Sequence, residues 1–183
     1  MNTTKILEKL KGKRGIFVHS DPAGAKACLA LASKLSKESI LAISDRQYSF
    51  YKDFEVEVNN YKQKNIADWL RDFQPEFVFT GTSIPVNIEI NFLQEAQKRK
   101  IFTYSFIDHW INIKERFFLK DKYVFPNRFL VIDRCAKEMA LNANIPGDII
   151  RIIDNPYYDY LKNWAPKISK CLLFENLGIP KEA

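Results

Sequence analysis

Residues 15–37 read GIFVHSDPAGAKACLALASKLSK: a compact apolar run, a short polar turn, then a stretch rich in alanine and leucine. Gly15 to His19 reads as a buried strand. Ala23 to Lys37 reads as a helix whose lysines and serines occupy the exposed positions. A buried strand feeding a helix is the repeating unit of a parallel sheet, and the remainder of the chain repeats it.

Ile40 to Ser44 reads as a second strand, and Phe54 to Val58, which alternates apolar and acidic residues, as a half-exposed or edge strand. A helix from about Lys64 to Phe73 closes at Gln74-Pro75. Phe77 to Thr80 is a buried strand ending on Gly81-Thr82-Ser83. Pro85 opens a helix to about Lys100, with apolar residues at Ile88, Phe92, Leu93 and Ala96. Ile101 to Ile107 is a strand ending on Asp108-His109-Trp110. Phe129 to Ile132 and Ile149 to Ile153 are further strands, with a helix from Asp133 to about Asn144 between them and a terminal helix starting at Asn155-Pro156. Asn112 to Asn127 is too long for an ordinary connection and is a candidate functional loop. The fold class is therefore α/β: a doubly wound, mostly parallel Rossmann-like sheet with helices on both faces.

The end of the chain, residues 172–183, reads LLFENLGIPKEA, a run suited to leaving one α/β domain and entering the first strand of another. The expected division is one Rossmann-like domain over 1–165, with 166–183 as the linker or start of a missing C-terminal domain. A chain of 183 residues, 46% of them hydrophobic, buries a full core without staples.

Three cysteines, Cys28, Cys135 and Cys171, have neither the number nor the spacing of a disulfide framework or a zinc knuckle. Packing roles for Cys28 and Cys135 and a reducing compartment follow. The opening MNTTKILEKLKGKRG is a short amphipathic segment without the apolar core of a signal peptide. No apolar run reaches the length of a membrane span. The expected location is cytoplasmic, with a peripheral place at the inner membrane face as a candidate.

The formal charge of +6 is spread over lysines on helix surfaces and loops. Only Lys9 to Arg14 is dense, which makes an anionic membrane surface a candidate partner; a nucleic-acid partner is not expected.

In a doubly wound sheet ligands sit outside the carboxyl ends of the strands, at the point where strand order reverses. That rule selects His19 to Gly24, Ser44-Asp45, Gly81 to Ser83, Asp108 to Asn112, Asp133 and Asp154 to Pro156. In Ser20-Asp21-Pro22-Ala23-Gly24, small residues let helix-start N–H groups approach an anion or a sugar hydroxyl; equally, Ser20 or Asp21 caps the helix and Gly24 packs closely. No dinucleotide or Walker motif is present there. Gly81, Thr82 and Ser83 offer open backbone and two hydroxyls, or an ordinary turn.

Asp108 and His109 supply the ingredients of general base catalysis, or tie the following loop to the sheet. His19 stands at another strand end and could share their crevice edge. Two histidines without a third ligand do not make a metal site. Asn112 and Arg116 begin the long loop, where Arg116 can pair with a phosphate, a carboxylate or Glu115. Asn155 closes the last strand. Tyr157, Tyr158 and Tyr160 read as packing on the terminal helix.

In order along the chain, PEFVFTGTS (75–83), FTYSFIDHWINIKERF (102–117), FPNRFLVIDRCAKEMAL (125–141), IPGDIIRIIDNPYYDYL (145–161) and LGIP (177–180) resemble the N-terminal half of bacterial GT-B-type proteins. These are the glycosyltransferases of polysaccharide biosynthesis and their relatives, the UDP-N-acetylglucosamine 2-epimerases. The resemblance covers Pro75 to the end well, and Gly15 to Ser44 as a strand-loop-helix pattern.

The resemblance implies two facing Rossmann-like domains, the N-terminal one holding a glycan or lipid-linked acceptor. The nucleotide-sugar donor is then held through the missing C-terminal domain. Neither metal nor other cofactor is implied, because a helix dipole and basic side chains stabilise the leaving diphosphate. Some GT-B enzymes carry a histidine in the first strand-to-helix loop; here Gly24 sits near that position. The base then comes from His19, Asp21, Asp108 or His109, with Asp108 or His109 the first choice. The leading expectation is a glycosyltransferase of surface polysaccharide or glycoconjugate synthesis. The alternatives are a sugar-nucleotide 2-epimerase-like enzyme and a non-catalytic α/β binding module.

Overall fold

The computed structural model describes residues 3–85, 88–166 and 168–180. Seven parallel strands form one sheet: β1 Gly15–His19, β2 Ile40–Ser44, β3 Val58–Asn60, β4 Phe77–Thr80, β5 Phe102–Ile107, β8 Arg128–Val131 and β9 Ile150–Ile152. Two short strands, β6 Phe118–Leu119 and β7 Lys122–Tyr123, pair as a separate antiparallel hairpin. The order in the large sheet is β3-β2-β1-β4-β5-β8-β9. The chain winds outward from β1 in one direction, returns, and winds outward from β4 in the other. This is the doubly wound arrangement expected from the alternation of strands and helices, and it places the reversal between β1 and β4.

Alternation along the strands divides the core. Phe17, Ala42, Phe77, Phe79, Tyr104, Phe106 and Leu130 point to one face, where they meet α1 (Thr3–Leu10) and α2 (Pro22–Ala32). Tyr157 and Tyr160 of α6 (Pro156–Leu161) pack against that cluster. On the other face Ile16, Val18, Ile43 and Val78 meet α3 (Ile66–Phe73) and α4 (Ile88–Lys98). Further along that face Ile107, Phe129 and Val131 meet Ala136 and Ala140 of α5 (Arg134–Asn142).

Helix α2 buries more residues than any other described helix. Asp21 caps it by accepting the Gly24 N–H at 2.6 Å, and Pro22 fits the first turn, where no N–H donor is needed. Its small alanines let the helix lie deep on the sheet, and eight of its residues are buried.

Several expectations are corrected. The edge strand is Val58–Asn60 and not Phe54 to Val58: Glu55 takes a left-handed φ of 54°, which ends any extension, and Phe54 and Val56 turn into the core instead. Helix α2 stops at Ala32 because the buried stripe stops there; Ser33 and Lys34 are exposed, and a 3-10 turn at Lys37–Ser39 leads into β2. Residues 112–127 make up most of the long connection between β5 and β8. A 3-10 turn at Glu115–Phe117 and the hairpin occupy them, pinned by buried Ile113, Phe117 and Val124.

Cys135 is exposed in the first turn of α5, not packed, whereas Cys28 is fully buried. At the far end Lys170–Asn176 forms helix α7, with Leu172, Leu173 and Leu177 exposed. Residues 181–183, the end of the expected linker, and residues 86 and 87, the expected helix start after Pro85, lie outside the described residues. The basic run Lys9 to Arg14 immediately precedes β1, so it lies at the amino ends of the strands, across the sheet from the reversal point.

Candidate functional site at the strand reversal

The reversal leaves a crevice between the loop that follows β1 and the loop that follows β4. Its floor is a backbone contact. A Cβ built on Gly81 would lie 3.0 Å from the Gly24 Cα, and one on Gly24 would lie 3.2 Å from the Gly81 Cα. The Gly81 N–H donates to the Val18 carbonyl at 2.9 Å, extending the β1–β4 ladder by one residue. Glycine at both positions lets the start of α2 and the end of β4 touch.

Beside this floor sits Glu89, on the first turn of α4 and only 4% exposed. Its Oε1 accepts the Ser20 N–H at 2.9 Å, and its Oε2 accepts the Ser20 and Ser83 hydroxyls, each at 2.9 Å. Burial pushes its carboxyl up to about 7, against the downward pull of its hydrogen bonds, with the Asp21 charge adding to the rise. Glu89, Thr80, Ser83, Arg116 and Phe117 enclose a small cavity of about 10 Å³. A groove of about 450 Å³ opens between α3 and α4 just past the end of β3, and one of about 500 Å³ lies beside the hairpin.

Arg116 reaches back from the long loop to this cavity. Its Nη1 donates to the Thr82 carbonyl at 2.7 Å, while its buried Nε has no acceptor. The Thr82 hydroxyl donates to the Phe106 carbonyl at 3.2 Å, tying the loop after β4 to β5. Asp21 is half-buried, and its carboxyl is raised above the ordinary range, first by burial and then by the Asp108 charge. The Gly24 and Ala23 N–H groups and the Arg116 cation oppose that rise. Asp21, Asp108 and Arg116 therefore share one electrostatic neighbourhood at the mouth of the crevice.

The two histidines differ sharply. His19 is 0% exposed and turns toward the α2 face, opposite to Ser20, which follows it. Its Nδ1 lies 3.4 Å from the Tyr51 hydroxyl, its Nε2 has no partner, and burial drops its pKa to about 3. It is a neutral, enclosed ring at ordinary pH. His109 is exposed at the end of β5, and its Nδ1 accepts the Trp110 and Ile111 N–H groups at 3.0 and 3.3 Å. Those two donors leave the imidazole proton on Nε2, so the ring presents an N–H outward.

Asn112 is exposed with a left-handed φ of 51°, and its carbonyl accepts the Arg116 N–H at 3.4 Å, opening the turn that carries Arg116. Asn155 caps α6 by accepting the Tyr157 N–H at 3.0 Å. The structure thus gathers Asp21, Gly24, Gly81, Thr82, Ser83, Asp108 and Arg116, and sets His19 and Asn155 into packing and capping positions. Among the described residues no group of three or more His, Cys, Asp or Glu side chains is arranged to hold a metal ion. None of the described helices is long and apolar enough to cross a membrane.

Glu89 escaped the sequence reading. Its signal was there: it lies four residues before Leu93 and seven before Ala96, on the apolar stripe of its own helix. A carboxyl on a buried stripe demands partners.

No family model and no curated protein matches the chain. Solved structures do. A candidate UDP-N-acetylglucosamine 2-epimerase from Listeria monocytogenes is 14% identical with a TM-score of 0.65, over 91% of this chain and 51% of that one. The UDP-GlcNAc 2-epimerase of Methanocaldococcus jannaschii is 11% identical with a TM-score of 0.58, over 92% and 54%. The UDP-N-acetylglucosamine 2-epimerase of Rickettsia bellii is 12% identical with a TM-score of 0.59, over 92% and 52%. At these identities the likeness is one of fold alone: the chain has a Rossmann-like fold similar to that found in these three structures. It spans about half the length of each of these structures.

Proposed function

We propose that this chain forms one wall of a nucleotide-sugar enzyme, of the 2-epimerase kind ahead of the glycosyltransferase kind that the sequence resemblance put first. The observation that carries the reading is the polar crevice at the β1–β4 reversal, in a fold that matches three epimerase structures over nine-tenths of its length. The crevice mouth holds more acid than base, with Asp21 and Asp108 around Arg116. That balance suits the hydroxyls of a sugar better than a diphosphate, so the diphosphate is assigned to the opposite wall of a complete enzyme.

Inverting a C–H centre requires a proton to leave one face of the sugar and another to be returned to the opposite face. Asp108 is the proposed base. Asp21, whose raised proton affinity is supported by burial and the Asp108 charge, is the proposed acid. His109 serves as an Nε2–H donor to a substrate oxygen, and Gly24, Gly81, Thr82 and Ser83 shape the crevice. A glycan or lipid-linked acceptor belongs to the glycosyltransferase reading, and an anionic membrane met through Lys9 to Arg14 to the binding-module reading.

The test is to incubate the chain with UDP-N-acetylglucosamine, alone and together with any α/β domain encoded downstream, and to follow products by NMR. A 2-epimer supports the reading. UDP release that depends on an added glycan acceptor supports a transferase instead, and neither product leaves a binding module.

A further inference from the structure

Glu89 does not face the open mouth of the crevice; it lies beneath it and joins its two sides. Ser20 belongs to the loop after β1 and Ser83 to the loop after β4. The three bonds come from two loops 63 residues apart in sequence and converge on a single carboxyl group. The same loop after β1 is held from the other side by the Tyr48 hydroxyl, which donates to the Ser20 carbonyl at 2.7 Å. Ser20 is thereby fixed at its N–H, its hydroxyl and its carbonyl. A carboxyl placed on a buried stripe loses much hydration, and that loss is offset only where each oxygen has a donor.

We propose that Glu89 is a positioning residue: it clamps the loop after β1 to the loop after β4 and so sets the width of the crevice at the strand reversal. Asp21 directly follows the clamped Ser20, and Thr82 directly precedes the clamped Ser83. The clamp therefore fixes the two backbone segments that carry the Asp21 carboxyl and the Thr82 carbonyl, to which Arg116 is anchored. Any ligand held at the mouth meets these groups at a spacing that Glu89 sets. The proposal rests on the reading of this crevice as the ligand site.

The arrangement fits glutamine at this position nearly as well. A Gln carbonyl still accepts the Ser20 N–H, and its NH2 donates to a serine hydroxyl that rotates to receive it. Aspartate is one methylene short and cannot span both loops, and alanine removes the clamp. Backbone hydrogen exchange of the full chain reads this without any ligand. In Glu89→Ala the Ser20 amide exchanges about tenfold faster or more, while Leu130 and Val131 in β8 keep their protection. Glu89→Gln stays within about twofold of the unsubstituted chain, and Glu89→Asp falls between.

Ser83→Ala, which removes one arm and leaves the core intact, covers the case in which Glu89→Ala fails to fold. It accelerates the Ser20 amide by about threefold. Three results overturn the clamp: unchanged Ser20 exchange in both Glu89→Ala and Ser83→Ala, acceleration spread equally into β8, or a Gln variant that behaves as the Ala variant. Turnover of UDP-N-acetylglucosamine by the same proteins decides the reading of the crevice separately, because exchange reports the clamp whether or not a substrate exists.

Discussion

Gly24 and Gly81 touch backbone to backbone across the strand reversal, close enough that a methyl group on either would press on the other's Cα at 3.2 or 3.0 Å. Neither contact is with a flexible side chain that could swing away. Gly81→Ala and Gly24→Ala should each destabilise the fold by about 1–3 kcal/mol, because the start of α2 must move off the end of β4. The double variant should cost clearly less than the sum, since the first methyl already opens the gap that the second needs. Urea unfolding of the four proteins measures this, and strict additivity would mean that the contact is not shared.

Two buried titratable groups should give the stability profile opposing slopes. Glu89 is raised from 4.5 to about 7, so between those values the folded chain keeps a proton that the unfolded chain has released. Its contribution is full below pH 4.5 and is lost as pH rises through about 7, a change of about 3 kcal/mol. Asp21, also raised, acts in the same direction. His19 is lowered from 6.5 to about 3, so between those values the unfolded chain binds a proton that the folded chain refuses. Its contribution is full above pH 6.5 and is lost as pH falls toward 3, a change of about 5 kcal/mol.

Between pH 4.5 and 6.5 the Glu89 and His19 trends offset one another. Glu89→Gln should become more stable as pH rises through that window, and His19→Gln less stable. Chemical denaturation at half-unit steps reads both slopes. Parallel profiles for the two variants would show that these groups do not titrate as their burial requires.

The sheet was legible because its strands are buried on both faces and read as short apolar runs between helix patterns; GIFVH, ILAIS and FVFT needed no partner to be recognised. What failed was local. The alternation from Phe54 to Val58 has the period of an edge strand, yet Phe54 and Val56 are drawn into the aromatic cluster around Tyr51 and Tyr160, and tertiary packing overrode the pattern. At the site, the strand-end rule found Asp21, Gly24, Gly81 and Ser83 because their place follows from topology. It did not exclude His19, since a residue at a strand end can point to either side of the sheet and only burial tells which. Glu89 was missed for the converse reason: it stands on a helix, where attention falls on apolar periodicity, and its meaning depends on serines far away in sequence.

Trp110 depends on a helix cap for its place. Its indole N–H donates to both Asp133 oxygens, at 3.3 and 3.1 Å, while Asp133 Oδ1 accepts the Ala136 N–H at 2.7 Å to cap α5. Asp133→Ala should remove both interactions, destabilising the chain by about 1 kcal/mol. It should also free an indole that is already 42% exposed. Asp133→Asn keeps an acceptor for each donor and should retain most of the stability. Thermal melts follow the cap, and faster iodide quenching of Trp110, in a background with Trp69 and Trp164 replaced by phenylalanine, follows the loop. Equal quenching in all three proteins would mean that Asp133 does not hold the ring.

The Asp21 carboxyl offers the most direct reading of the crevice mouth. Burial raises its proton affinity, the Asp108 charge raises it further, and the Arg116 cation lowers it. Removing each neighbour should therefore move Asp21 in opposite directions. Asp108→Asn, which keeps the shape and deletes the charge, should lower the Asp21 pKa. Arg116→Gln should raise it, while Arg116→Lys should leave it nearer its starting value, because charge persists although the fork that reaches the Thr82 carbonyl is lost. Carbon-detected NMR titration of the aspartate carboxyls resolves these shifts, and added salt should shrink the Asp108 effect more than the burial effect. If Asp108→Asn left Asp21 unmoved, the two carboxyls would not share the crevice mouth, and their paired acid and base roles would fall with that result.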